Sequence, residues 1–200
     1  MEEKITLFSE GYEIEGMIDN NNASKGAVIT HPHPLYGGDM HNNVVLTIAQ
    51  AYQKKGCATL RFNFRGVGSS QGSYSDGVGE QEDVRAAISC LKDMGIKHIN
   101  LAGYSFGAWV NAMTSNKTSQ LASMIMVSPP VAFIDFGEIS DLKCLTLIAT
   151  GSRDEIAPPD LIEQLKPKWN PEALFEIIDG ADHFYWGYMD RLESILVSNI

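Results

Sequence analysis

The five residues Gly103-Tyr104-Ser105-Phe106-Gly107 follow the apolar run Ile99-Asn100-Leu101-Ala102 and lead into a helix-forming stretch. A strand that turns abruptly into a helix holds its apex residue in a strained conformation with the side chain outward. The positions two before and two after that apex must be small, because the backbone folds back on itself there. Gly103 and Gly107 meet this need, which leaves Ser105 where a nucleophile would sit. A serine hydroxyl is a poor nucleophile at its free pKa. It needs a positioned base, usually histidine, and a carboxylate that fixes the tautomer of that base.

Of the five histidines, His98 precedes a strand at the wrong end and His41 opens a helix, so both read as surface or capping groups. His183, in Asp179-Gly180-Ala181-Asp182-His183-Phe184, directly follows the last strand-like run. Asp154, in Gly151-Ser152-Arg153-Asp154-Glu155, follows the preceding one and is the loop carboxylate best placed to reach a histidine one strand over. Asp182 is the alternative orienting acid, and Asp154 could instead serve as a helix N-terminal acid. The order Ser, Asp, His is one of three known for such triads and the one tied to a strand–elbow–helix nucleophile. An oxyanion formed on attack needs two backbone donors. One candidate is the Phe106 amide, at a helix N-terminus where amides are unpaired. The other belongs to the loop His31-Pro32-His33-Pro34-Leu35-Tyr36-Gly37-Gly38-Asp39-Met40. Proline has no N–H, so His33 or Leu35 remains, with His33 nearer the strand end.

These residues need elements that carry them to one edge. Residues 4–19 alternate apolar and polar (Ile5, Leu7, Tyr12, Ile14, Met17) around Ser9-Glu10-Gly11, a hairpin pattern. Short apolar strands are expected at 27–30, 58–64, 99–102, 121–127, 144–150 and 174–178. Helices are expected over 42–55, 79–94, 106–115, 159–165 and from Phe184 onward, the last burying Tyr188, Met189, Leu192, Ile195 and Leu196. This alternation predicts an α/β fold. It is a mostly parallel, twisted sheet of about seven to eight strands with an N-terminal antiparallel hairpin and helices on both faces. Sites in such sheets form beyond the carboxyl ends of the strands, which puts His31, Ser105, Ser128, Asp154 and His183 together.

The chain has 200 residues, 44% hydrophobic and 20% charged, with no repeat or composition shift, so one domain over 1–200 is expected. Its net charge of −10 argues against nucleic acid or an anionic membrane as partner. The three cysteines, Cys57, Cys90 and Cys144, are odd in number and lie in apolar segments, which reads as buried reduced thiols. The acidic N-terminus is unlike a secretory signal and no run reaches the ~18 apolar residues of a membrane span. A cytoplasmic protein is the default, and a homodimer stays open.

Four segments taken together carry a resemblance. They are His31-Pro32-His33-Pro34-Leu35-Tyr36-Gly37-Gly38, Phe62-Asn63-Phe64-Arg65-Gly66-Val67-Gly68-Ser69-Ser70-Gln71-Gly72, Gly103-Tyr104-Ser105-Phe106-Gly107 and Ala181-Asp182-His183-Phe184. In that order the chain resembles the small, cap-less α/β-hydrolases related to the dienelactone hydrolase family. The resemblance covers nearly the whole chain. It implies a Ser-Asp-His triad of Ser105, Asp154 and His183, and esterase-type chemistry on a small-molecule ester or thioester with no cofactor. It departs from dienelactone hydrolases proper in having serine where they have cysteine. It also lacks a cap insertion, since only residues 129–140 separate two core strands.

Other readings of the same residues are weaker. Gly66-Val67-Gly68 would need a third glycine at position 71 to bind a dinucleotide, and Gln71 stands there. Arg65 reads as a guanidinium that ties loops together. His31, His33, Asp39 and His41 are too loosely grouped on a two-proline loop for a metal site. Tyr36, Phe133 and Trp186 are apolar near the expected mouth and are either lid packing or the lining for a hydrophobic substrate group. A peptidase or amidase would use the same triad, and a non-catalytic binding module could retain the elbow.

Overall fold

A computed structural model of the chain describes residues 2–20, 23–115, 118 and 121–200. Strands β1 (Glu3–Ser9) and β2 (Tyr12–Asp19) form the antiparallel hairpin. Its turn has φ of 49° at Glu10 and 89° at Gly11, the left-handed pair that a two-residue hairpin turn requires. The buried face carries Leu7, Ile14 and Ile18. The other two apolar positions of β2 lie outside this core. Met17 falls on the opposite pleat, half-buried, and Tyr12 is exposed beneath the Arg65 guanidinium, 5.5 Å from its ring centroid.

β2 pairs antiparallel with β4 (Ala58–Phe62). From there β3 (Lys25–Thr30), β5 (His98–Tyr104), β6 (Leu121–Val127), β7 (Leu145–Gly151) and β8 (Leu174–Ile178) run parallel with β4. One sheet of eight strands results, in the order β1-β2-β4-β3-β5-β6-β7-β8. Helices α2 (Val78–Asp93), α3 (Phe106–Ser115) and α4 (Pro159–Trp169) pack on one face, and α1 (Asn43–Lys54) and α5 (Met189–Asn199) on the other. The central strands bury both pleats, as strands covered by helices on both sides must. No helix among the described residues is long and apolar enough to cross a membrane.

The larger departures from expectation lie in two helices and one loop. α4 runs through Pro167 to Trp169, because the proline sits in the last turn and the buried Trp169 anchors that turn against Phe136, ring centroids 5.1 Å apart. α5 begins at Met189 rather than Phe184, since φ of 56° at Tyr185 and 79° at Gly187 folds 184–188 into turns. A short 3₁₀ helix, Pro34–Tyr36, interrupts the two-proline loop. All three cysteines are free thiols, but only Cys57 is buried; Cys90 and Cys144 are half-buried.

Two buried polar groups tie the strand-end loops together. His31 is wholly buried, and its Nε2 accepts the Phe64 N–H at 2.9 Å. Its Nδ1 lies 2.6 Å from the Pro32 carbonyl and therefore carries the proton. Arg65 donates to both carboxylate oxygens of the buried Asp83, to Glu10 and to the Ser9 hydroxyl, joining the β4–α2 loop to the hairpin. The loop-tying reading of Arg65 agrees with these contacts.

Burial, which outweighs the Pro32 hydrogen bond and the nearby Asp39 and Asp83 charges, lowers the His31 pKa from 6.5 to about 4. The unfolded chain takes up this proton near 6.5 and the folded ring refuses it until about 4. Stability is therefore full above that interval and falls as the pH drops through it, by roughly 3 kcal/mol in total. In urea unfolding at pH 7 and pH 4.5, His31→Gln should be less stable at pH 7 and should lose about 2–3 kcal/mol less than the parent on acidification. An identical pH slope in both proteins would contradict a buried neutral His31.

Candidate active site

The site is assembled from the carboxyl ends of β5, β7 and β8. Ser105 follows β5 with φ of 54°, a left-handed value that costs an L-residue energy and that the fold holds in place. Its N–H donates to the Val127 carbonyl at 2.9 Å, and its own carbonyl accepts from Ala108 to begin α3. A Cβ at Gly103 would come within 2.6 Å of the Ala108 nitrogen, and one at Gly107 within 2.6 Å of Thr30 Oγ1 and 2.7 Å of the His31 carbonyl oxygen. Both glycines are therefore required by close backbone approach.

His183 Nε2 lies 3.0 Å from Ser105 Oγ, and His183 Nδ1 lies 2.9 and 3.0 Å from the two Asp154 oxygens. All three residues are buried. Asp154 Oδ1 also accepts the N–H groups of Ile156 (2.9 Å) and Ala157 (2.7 Å), and Oδ2 accepts from Thr150 Oγ1 at 3.3 Å. Burial pushes the Asp154 carboxyl up. Its hydrogen bond to His183 and the charge interaction with that ring, helped by the Ala157 amide and the Ser128 hydroxyl, outweigh burial and hold it below the ordinary carboxylate value. An ionised Asp154 only accepts, so the His183 nitrogen that faces it, Nδ1, carries a hydrogen; with the ring in that tautomer Nε2 presents a lone pair to the serine hydroxyl. The alternative acid, Asp182, is exposed and accepts the Phe184 N–H in a turn. Tyr104 holds the histidine from below: its hydroxyl donates to the His183 carbonyl at 2.8 Å and its ring lies 5.2 Å from the imidazole.

A cavity of about 630 Å³ opens over Ser105 and His183. Its lining includes the expected Phe106, His33, Tyr36 and Phe133. Trp186 is not among the lining residues. It is exposed, while Tyr185 turns inward with its hydroxyl 2.7 Å from Ser128 Oγ, and Phe184 reaches the cavity instead. Continuous helical periodicity from Phe184 hid this exchange; the turn glycine Gly187 was the signal against it. Asn42, Ile134 and Ile156 also line the cavity and carried no motif. A second cavity, about 620 Å³, lies by Ser115, Asp141, Lys143 and Cys144 at the amino ends of β6 and β7 and contains none of these groups.

The N–H groups of Phe106 and His33 meet no acceptor among the described residues. The Leu35 N–H is taken by His33 Nδ1 at 3.2 Å. The loop histidines do not converge: the His31 nitrogens are satisfied internally, and Asp39 accepts the His41 N–H. Among the described residues no group of three or more His, Cys, Asp or Glu is placed to hold a metal ion.

The fold superimposes, with a TM-score of 0.92, on an α/β serine hydrolase homologue from Coxiella burnetii that is 36% identical, covering 99% of this chain and 97% of that one. The chain belongs to the α/β serine hydrolases. A lidless member from Xanthomonas campestris, XC6422, is 27% identical over 99% of this chain and 93% of its own, with a TM-score of 0.90. RP471 of Rickettsia prowazekii, itself uncharacterized, is 34% identical over 169 residues, 80% of this chain and 71% of its own. No family model matches the sequence. XC6422 is described as lacking a lid, and among the described residues of this hydrolase the β6–β7 connection is likewise occupied by turns.

The close approach at Gly107 is testable in isolation. Gly107→Ala should lower unfolding stability by about 1–3 kcal/mol, because neighbouring backbone must shift to admit the methyl group. An unchanged urea midpoint would show that α3 does not press on the His31 loop.

Proposed function

We propose that this hydrolase cleaves carboxylic esters or thioesters through an acyl-enzyme formed on Ser105. The observation that carries the reading is the unbroken contact from Ser105 Oγ through His183 to the buried Asp154, at the floor of a cavity with two unpartnered amides. His183 Nε2 takes the hydroxyl proton as Oγ bonds to the carbonyl carbon. The carbonyl oxygen becomes an oxyanion that the Phe106 and His33 amides stabilise. As the intermediate collapses, His183 returns the proton to the leaving alcohol or thiol. Water then repeats the sequence: His183 removes its proton, the acyl–Oγ bond breaks, and the proton returns to Ser105 Oγ. Asp154 keeps Nδ1 protonated and balances the transient imidazolium.

The lining narrows the substrate. It contains no Lys, Arg, Asp or Glu, and Tyr36, Phe133, Ile134, Ile156 and Phe184 offer apolar surface. A substrate carboxylate bound there would lose water without gaining a cation. The fitting substrate is therefore a neutral ester or thioester with an apolar acyl or alcohol part.

Ser105→Ala should abolish hydrolysis of 4-nitrophenyl butyrate and labelling by a fluorophosphonate probe. Asp154→Asn should lower kcat on the order of 10³-fold or more. A hemisuccinate ester should be hydrolysed at least about tenfold less efficiently than butyrate, since its carboxylate would be buried unpaired. Retained turnover in Ser105→Ala would refute the triad reading, and equal use of the two esters would refute the neutral-substrate reading.

A further inference from the structure

The His33 side chain does no chemistry in the scheme above, yet both of its nitrogens are engaged. Nδ1 accepts the Leu35 N–H at 3.2 Å, so in the neutral ring Nε2 carries the hydrogen. Nε2 lies 3.2 Å from the Tyr74 hydroxyl and donates to it. The imidazole is also packed among three rings, with centroids 4.8 Å from Phe106, 4.9 Å from Tyr36 and 5.1 Å from Tyr74. Burial lowers its pKa, which favours this neutral form.

Tyr74 stands on a stiff support. The two oxygens of the fully buried Glu80 accept the N–H groups of Ser75 and Gly77, each at 2.9 Å, locking the chain just beyond Tyr74 to the first turn of α2. Gly77, at φ of 82°, lies so close to Trp109 that a Cβ there would fall 2.1 Å from its ring. Trp109 in turn packs on Phe106, ring centroids 5.6 Å apart. The supports of the two unpartnered amides therefore meet in one aromatic cluster.

We propose that Tyr74 is a positioning residue for ester hydrolysis: its hydroxyl fixes the His33 ring and thereby the His33 main-chain N–H that receives the oxyanion. This rests on the acyl-enzyme reading above. Donor placement acts on the transition state more than on substrate binding, so the effect falls on kcat rather than KM.

The test compares Tyr74→Phe, His33→Ala, His33→Gln and the double variant Tyr74→Phe/His33→Ala on 4-nitrophenyl butyrate. Inhibition by an alkyl trifluoromethyl ketone, whose adduct carries the oxyanion, is measured alongside. Tyr74→Phe should lower kcat about tenfold with KM within about twofold, since a loosened donor retains part of the ~10²–10³ that a whole donor supplies. Its Ki for the ketone should rise by a similar factor. His33→Ala keeps the main-chain amide and should lose at least as much, and the double variant should be no worse than His33→Ala. His33→Gln, which can accept from Leu35 and donate to Tyr74, should recover part of the loss. An unchanged kcat and Ki in Tyr74→Phe, a loss confined to KM, or additive effects in the double variant would overturn the proposal. Fluorophosphonate labelling of Ser105 separates the two failures. Labelled protein with unaffected Tyr74→Phe turnover removes only the positioning role, whereas unlabelled parent protein removes the acyl-enzyme reading itself.

Discussion

A carboxylate buried at the end of β7 has to be solvated by protein, and the site is arranged around that requirement. Asp154 receives the Ile156 and Ala157 amides, the Thr150 hydroxyl and the His183 ring nitrogen. An isolated buried charge would cost several kcal/mol, so each donor is a structural necessity before it is a functional one. The two amides curl the β7–α4 loop back beneath the carboxylate. The histidine must arrive from β8 at the right height, and the Arg153 N–H on the Ala181 carbonyl joins the two loops directly. Gly151 is confined to glycine by the same approach, since a Cβ would meet the Ala181 carbonyl at 2.2 Å.

The other half of the site depends on a different constraint, the tight packing of α3 on the loop after β3. That loop is pinned to the segment after β4 at three places. His31 takes the Phe64 N–H, His33 bonds Tyr74, and Asn63 Oδ1 accepts the Met40 N–H at 2.8 Å. Asn63 is held in turn by Glu15 of the hairpin at 2.7 Å. The antiparallel strands at the sheet edge thus contribute to the site at a distance, by stiffening the loop that carries a candidate oxyanion donor. Stiffness matters there because a preorganised donor spends nothing on reorientation as charge develops.

Legibility in the sequence followed the locality of the cause. The hairpin, the parallel strands and the elbow were readable because turn glycines, pleat alternation and helical spacing act over a few residues. The grouping of Ser105, Asp154 and His183 was readable because each lies within a few residues of a strand's carboxyl end, so topology carries them to one edge. Alternatives that turn on side-chain direction were not readable. Asp154 and Asp182 are both loop acids near His183 in sequence, and only the fold shows one buried against the ring and the other capping an exposed turn. Trp186 was expected near the mouth but lies outside the cavity lining, where Phe184 stands instead, because the left-handed residue at Tyr185 reverses which side chain faces inward. Tyr74 gave no local signal at all: its partner lies 41 positions earlier.

This division has a consequence for how the protein can change. The groups proposed to carry the chemistry are nearly inaccessible, with Ser105 and His183 7% exposed and Asp154 3%, and each is restrained by several partners. The cavity rim is the reverse. Tyr36 is 86% exposed, Phe133 74% and Phe184 55%, on loops whose side chains make few polar bonds. Exchanging a rim residue alters apolar surface at the mouth and costs little stability, because solvent already covers most of it. Exchanging Thr150 or Tyr104 disturbs the restraints on the buried charge or on the histidine that pairs with it. Without a lid, the rim loops and the 3₁₀ helix at Pro34–Tyr36 are the parts that can be reshaped for a new acyl or alcohol group. The exception is His33, which belongs to both systems: it lines the cavity alongside Ser105, and its ring packs against Tyr36 at the rim, centroids 4.9 Å apart. If the His33 amide receives the oxyanion as proposed, substitutions at Tyr36 reach the transition state through the His33 ring even when they never touch the substrate.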